Sequence, residues 1–240
     1  MQRLFQTNYW GVVHGSLEAV KHMKTRGGCA IINLGSELSE RSVPLQALYS
    51  ASKHAVKAFT DSLRMELEKD KAPISVTLIK PAAIDTMFAV HAKNYMEKEP
   101  ALPPPVYAPE IVAKSILYAA QHPKRDVFVG GASKAISSAG FAMPRVLDKI
   151  MNASMFEQQQ SDRPSAPNRR DALHEPDPRN ELRQRQGMEN RHVIETCPYT
   201  AVSLRSNKIM PALLGAGALF AAWKLINRPN LRRSSLRSAY

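Results

Sequence analysis

Tyr49 and Lys53 stand four residues apart in the run Tyr49-Ser50-Ala51-Ser52-Lys53. On a helix, positions i and i+4 project from one face, so a phenol and an ammonium become neighbours. A phenolate and an ammonium ~4 Å apart at an effective dielectric of ~20 attract by about 4 kcal/mol. That limit corresponds to roughly three pKa units on a phenol that titrates near ~10. Partial burial opposes the shift, and the expected result is a tyrosine able to act as a general acid/base near neutral pH. A lone Tyr-x-x-x-Lys arises by chance in many helices as a solvated surface pair, so its neighbours decide its meaning. Ser36 lies thirteen residues before Tyr49, at the end of the apolar run Cys29-Ala-Ile-Ile-Asn-Leu34. A serine at the carboxyl end of a parallel strand sits in the crevice where such sheets bind ligands. Its hydroxyl is placed to hydrogen-bond the substrate oxygen that Tyr49 protonates, polarising a carbonyl.

The elements that must position these residues follow from pattern. Leu4, Phe5, Val12, Val13, Leu17 and Val20 fall near helical spacing, and Gly27-Gly28 closes that helix. Residues 29–34 read as a buried parallel strand, 35–46 as a polar loop, and 49–67 as a second long helix. Residues 75–79 (SVTLI) form another β-branched buried run that Pro81 stops, and 81–108 read as irregular. A helix opening with Pro109 and running to Ala120, a short strand at 126–129 and mixed helix over 132–155 complete residues 1–156. Helices that separate short buried strands imply right-handed crossovers and a parallel sheet.

Three segments taken in order carry a family resemblance: IINLGS, PLQALYSASKHAVKAFTDSLRMEL and VTLIKPAAIDT. Together they resemble the catalytic half of the short-chain dehydrogenase/reductase family, with TNYWGVVHG similar to the family's helix-borne Asn segment. The resemblance covers about residues 3–155. It implies an α/β fold with a partial doubly wound parallel sheet of Rossmann type, lacking its first strands. It also implies hydride transfer between NAD or NADP (NADPH slightly favoured) and a carbonyl or alcohol. On that resemblance Tyr49 is the acid/base. Lys53 binds the nicotinamide ribose and lowers the tyrosine pKa, Ser36 positions the substrate oxygen, and Asn8 supports a water-mediated proton relay. Pro81 to Thr86 matches the loop at the nicotinamide carboxamide, with Ile84 and Thr86 at the contacting positions and Ala82 where the family commonly has glycine. The plain alternatives are a helix cap or kink for Asn8 and an ordinary turn residue for Thr86. Residues 87–108 occupy the family's variable substrate lid, whose Met, Phe, Val and Pro content suggests an apolar substrate. His91, Tyr95 and Tyr107 in it are read as packing residues. The Asn8 and Tyr49 helices resemble those that pair family members, which implies a homo-oligomer.

One family feature is absent from the 240 residues: no G-x-x-x-G-x-G or G-x-G-x-x-G occurs among the 11 glycines. That turn is what receives a dinucleotide's pyrophosphate at a helix N-terminus. The expectation is therefore an N-terminally truncated record, with residues 1–240 alone inactive, weak in NAD(P) binding and poorly soluble through an open sheet edge. The alternative is a non-catalytic, membrane-tethered interaction protein built on the same fold.

Beyond residue 156 the texture changes. Residues 157–204 are polar, proline-punctuated and poor in large apolar side chains, and are expected to form a disordered linker. Residues 205–240 form a basic tail, since the last acidic residue is Glu195. Of the net charge of +12, half falls after residue 156, where 14 basic residues face 8 acidic ones. Few aromatics interleave with those arginines, so a base-stacking nucleic-acid surface is not expected and an anionic membrane is. The apolar run 209–226 carries one charge, Lys224; as a helix it spans roughly 27 Å, just short of a ~30 Å hydrocarbon core. It is read as an anchor in or on the bilayer for a cytoplasmic catalytic domain. Cys29 and Cys197 share no metal-ligand spacing and imply no disulfide framework; the histidines likewise lack metal spacing, so no metal is expected.

Overall fold

The computed structural model describes residues 1–169, 171–176, 183–186 and 192–205. Its centre is a three-stranded parallel sheet of β1 (Cys29–Leu34), β2 (Ile74–Pro81) and β6 (Asp126–Val129), in the order β1-β2-β6. Cys29 pairs with Ile74 and Leu34 with Ile79, while Leu78 pairs with Asp126 and Pro81 with Val129. Because the strands are parallel and in this register, the residues that follow β1 and β2 emerge from the same edge. β2 is the middle strand, and Leu78 and Ile79 are fully buried, as a run of apolar residues without alternation requires.

Helix α2 (Gly11–Lys24) follows a helical lead-in, α1 (Gln2–Phe5) and a π-helical turn at Gln6–Trp10. α3 (Ala47–Lys69) is the long helix, and it buries Val56, Leu63 and Leu67. Leu63 and Leu67 pack with Ile31, Ile74 and Val76, one of the two apolar clusters of the core. α5 (Pro109–Gln121) starts with proline at its first position and places Ile111 and Ala119 in the second cluster with Ile79, Val127 and Val129. α6 (Gly131–Ala142) and α7 (Pro144–Gln158) split the expected mixed helix at Met143, where proline opens the second helix.

The stretch expected to be irregular is held by short pieces. β3 (Ala83–Ile84) pairs in parallel with β5 (Val106–Tyr107), and α4 (Phe88–His91) and β4 (Lys98–Pro100) lie between them. Gly130 turns β6 into α6 with φ +89, and a Cβ there would lie 2.7 Å from the Tyr107 ring, so only glycine fits this turn.

The expectation of a disordered linker over 157–204 fails at its described residues. β7 (Gln160–Pro164) pairs antiparallel with β4, and β8 (Val193–Ile194) adds to β5 in parallel. Residues 198–205 are helical; Leu204 joins the second core cluster, and the Thr200 hydroxyl accepts the Gly130 N–H at 2.9 Å. Composition weighed only the apolar surface this segment could bury, whereas its order comes from backbone pairing and ion pairs with the lid. Residues 1–204 form one compact unit. The apolar run 209–226 lies outside the described residues, and among the described residues no helix is long and apolar enough to cross a membrane.

Candidate active site

The end of β1 sets the site. Gly35 donates to the Ile79 carbonyl at 2.8 Å, and a Cβ at Gly35 would come within 2.9 Å of Ser39 Oγ and 3.1 Å of Leu78 Cδ1. Glycine therefore lets the chain leave the sheet edge tightly. Ser36 then caps a 3₁₀ turn at Glu37–Ser39: its Oγ accepts from Leu38 N at 3.1 Å, and its own N–H donates to Ser39 Oγ at 3.0 Å. The buried Ser36 hydroxyl also favours the ionised form of the Tyr49 phenol.

Tyr49 lies in the first turn of α3, with Lys53 one turn further on. Lys53 Nζ donates to the Leu34 carbonyl at 2.9 Å and lies 5.8 Å from the Tyr49 ring centroid. Burial lowers the Lys53 pKa to about 8. The expected depression of the tyrosine pKa is not what the structure has. Burial raises Tyr49 to about 12; the Ser36 hydroxyl pulls the other way, and the Glu37 carboxylate adds to the rise. Taking the phenolate out of water outweighs an ammonium that is itself moored to a carbonyl one strand end away.

Asn8 sits in the π turn, the kind of local widening that often marks functional positions. Its Nδ2 donates to Ser52 Oγ at 3.2 Å, and Ser52 Oγ donates to the Tyr49 carbonyl at 2.7 Å. Asn8 thus reaches the tyrosine's helical turn through a fully buried serine that the sequence pattern did not single out.

The loop after β2 leaves the same sheet edge. Ala82 N–H donates to the Val129 carbonyl at 2.9 Å, and Asp85 N–H to the Tyr107 carbonyl at 2.9 Å, which seats Pro81–Thr86 beside β6 and β5. Thr86 Oγ1 accepts from Phe88 N at 3.4 Å, a turn contact at the start of α4. The Phe88 ring lies 5.3 Å from the Tyr49 ring, so the lid touches the tyrosine directly. Ser36, Tyr49 and Lys53 are brought together; Pro81, Ile84 and Thr86 line the same edge, and Asn8 stands behind Tyr49.

Four further residues matter here that the sequence pattern did not single out. Glu37 follows Ser36, and burial lifts its carboxyl to about 7. Asn33, inside β1, accepts from Ser16 Oγ at 3.2 Å and donates to Thr60 Oγ1 at 3.0 Å, tying α2 and α3 to the strand. Lys80, 2% exposed at the end of β2, pairs with Glu40 at 2.8 Å and Asp126 at 3.2 Å. Arg169 donates to the carbonyls of Ala89, Val90 and Ala92 and pairs with Glu99 at 2.8 Å, so it holds the lid at four points. An acidic residue beside the serine was the one visible hint; the other three reveal themselves only in three dimensions.

Known proteins are similar to this chain in sequence and fold. The sequence profile described as short chain dehydrogenase matches residues 1–97. An uncharacterized oxidoreductase of Bacillus subtilis, YxnA, is 46% identical over 177 residues, covering 73% of this chain and 50% of that protein. A putative oxidoreductase of Mycobacterium tuberculosis, SadH, is 30% identical over 165 residues, covering 64% of this chain and 55% of its own length. A crystal structure of a short chain dehydrogenase from Burkholderia cenocepacia in complex with NADP superposes with a TM-score of 0.51 at 27% identity, covering 61% of this chain and 56% of that one. The chain thus spans about half the length of the curated relatives it matches. With the serine, tyrosine and lysine gathered at the carboxyl edge of a parallel sheet, and these relatives on either side of it, the chain belongs to the short-chain dehydrogenase/reductase family.

Proposed function

We propose that this chain carries the proton-transfer residues of an NAD(P)-dependent oxidoreductase acting on a small carbonyl or alcohol. The observation that carries the reading is the gathering of three residues at the end of β1: Ser36 just past the strand, and Tyr49 and Lys53 one helical turn apart on α3, with the Lys53 ammonium donating to the Leu34 carbonyl. When bound, a nicotinamide cofactor supplies or accepts the hydride. The residues present fit its nicotinamide end. Lys53 has one N–H engaged by Leu34 and others free for ribose hydroxyls, and the 81–86 loop offers Ile84 and Thr86 at the same edge. The NADP in the similar Burkholderia cenocepacia dehydrogenase supports a dinucleotide here.

In the reductive direction Ser36 holds the carbonyl oxygen and Tyr49 donates its proton to that oxygen as negative charge develops. A phenol held neutral at rest is in the correct protonation state for this step. In the oxidative direction the same oxygen atom of Tyr49 takes the alcohol proton, and the nearby Lys53 ammonium and Ser36 hydroxyl favour the phenolate that results. Asn8, through Ser52, fixes the turn that carries Tyr49. The apolar run 209–226 is proposed to tether this domain to membrane; flotation with anionic liposomes, lost on deleting that run, tests it.

The function is tested with protein expressed from its full coding sequence, by following NADPH and NADH oxidation against a panel of ketones and aldehydes. Turnover that falls by a factor of ~10² or more in Tyr49→Phe is expected. Wild-type-like turnover in Tyr49→Phe would overturn the assignment.

A further inference from the structure

The 3₁₀ turn that begins at Glu37 packs against α3 and α6. Glu37 Oε2 is buried and accepts no hydrogen bond, and among the described residues Glu37 has no ion-pair partner. Glu37 directly follows Ser36, and its negative charge disfavours ionisation of the Tyr49 phenol. Lys53, the ammonium beside Tyr49, is held by the Leu34 carbonyl. The lid closes over Tyr49 with an aromatic ring, Phe88, which offers no donor to the carboxylate.

A buried carboxylate oxygen without a partner is costly, and such groups persist where something else completes them. We propose that Glu37 determines substrate specificity by accepting a hydrogen bond from a hydroxyl or ammonium group that the substrate carries next to its reacting carbonyl. This rests on the function proposed above and narrows its substrate class to vicinal hydroxy- or aminoketones and the matching alcohols. The spacing follows from the chain. Ser36 and Glu37 are consecutive, with Cα atoms ~3.8 Å apart, so a ligand whose carbonyl oxygen meets Ser36 presents its second group to Glu37 across one or two carbons. An apolar residue after the serine would fill the same space without selecting for a donor.

The test compares two ketones of nearly equal shape, α-hydroxyacetophenone and propiophenone, which differ by a hydroxyl in place of a methyl. With protein from the full coding sequence and NADPH or NADH, kcat/KM is expected to favour the hydroxyketone by tenfold or more, the scale of one hydrogen bond to a charged group. In Glu37→Leu the ratio is expected to fall to within about twofold of one, and Glu37→Gln, which keeps an acceptor oxygen, to lie between. An unchanged ratio in both variants overturns the proposal. Should wild-type protein turn over neither ketone, the oxidoreductase reading fails. The role of Glu37 is then read from saturation-transfer NMR with the same two ketones. Preferential binding of the hydroxyketone that disappears in Glu37→Leu sustains the role, and equal binding of the two ketones to wild type overturns it.

Discussion

Lys53 and Leu34 are joined across the end of the sheet: the ammonium donates to the strand's last carbonyl at 2.9 Å. The contact fixes the lysine head relative to β1 and leaves it 5.8 Å from the tyrosine ring. It also keeps the ammonium where burial disfavours its charge, which is why the group titrates at about 8 rather than 10.5. The unfolded chain then binds more protons than the folded one between those values, so Lys53 makes stability rise with pH across that window. Tyr49 acts oppositely, but only from about 10 to about 12, where the folded state holds its proton more tightly. In Lys53→Met the rise between roughly pH 8 and 10 is expected to disappear, a difference on the order of 1 kcal/mol by pH 10 after allowing for solvent screening. Urea midpoints across that range measure it; identical slopes in both proteins would reject the burial of Lys53.

Glu37 titrates with the reverse sign. Its folded pKa of about 7 stands above the ordinary 4.5, so the folded state binds the extra proton and stability falls as pH rises from 4.5 to 7. Glu37→Gln removes that fall. The variant should match wild type near pH 4.5 and exceed it above pH 7 by on the order of 2 kcal/mol. Thermal or urea unfolding at those two pH values decides it, and a constant difference between the proteins would mean that Glu37 is not held away from water.

Asn33 lies in the sequence run that also contains Ser36, yet its work is structural. Buried at 7% exposure, it bridges Ser16 on α2 and Thr60 on α3, so one amide sets how two helices meet the strand that carries Ser36. Asn33→Leu keeps the volume and strands the Ser16 hydroxyl, with an expected loss of about 1–3 kcal/mol. Adding Ser16→Ala should recover part of that loss, because removing both partners costs less than removing one. A double variant no more stable than the single one would show that packing, not pairing, sets the cost.

How much of this was legible beforehand follows from what each element depends on. The strand 126–129 and the helix beginning at Pro109 are written in local terms, a short apolar run closed by glycines and a proline at a helix start, and both appear where expected. Ser36, Tyr49 and Lys53 were readable because a strand end and an i, i+4 helix spacing bring them together. The tyrosine pKa was not, since pattern supplies the neighbouring charge but not the depth of burial that overrides it. The segment after α7 was misread for a related reason: QSDRP and the residues after it bury little apolar surface of their own, and their partners lie some seventy residues back in the lid.

Arg169 is where that misreading bears on function. Its guanidinium gathers the carbonyls of Ala89, Val90 and Ala92 at the end of α4 and pairs with Glu99, while α4 places Phe88 against Tyr49. Positive charge at a helix C-terminus and a planar fork of donors both suit this position, and lysine could supply only the first. Arg169→Ala is therefore expected to loosen the lid without unfolding the sheet. Amide exchange at Ala92, bonded to Phe88 O, and at Ala101, bonded to Gln159 O, should quicken by about tenfold or more, while Ile79 and Val127 in the core keep their protection. Arg169→Lys should fall between, because it retains the charge toward Glu99 but cannot span three carbonyls. Equal lid protection in wild type and Arg169→Ala would show that the lid stands on its own backbone pairing, through β4 with β7 and β3 with β5, and that the arginine merely rests upon it.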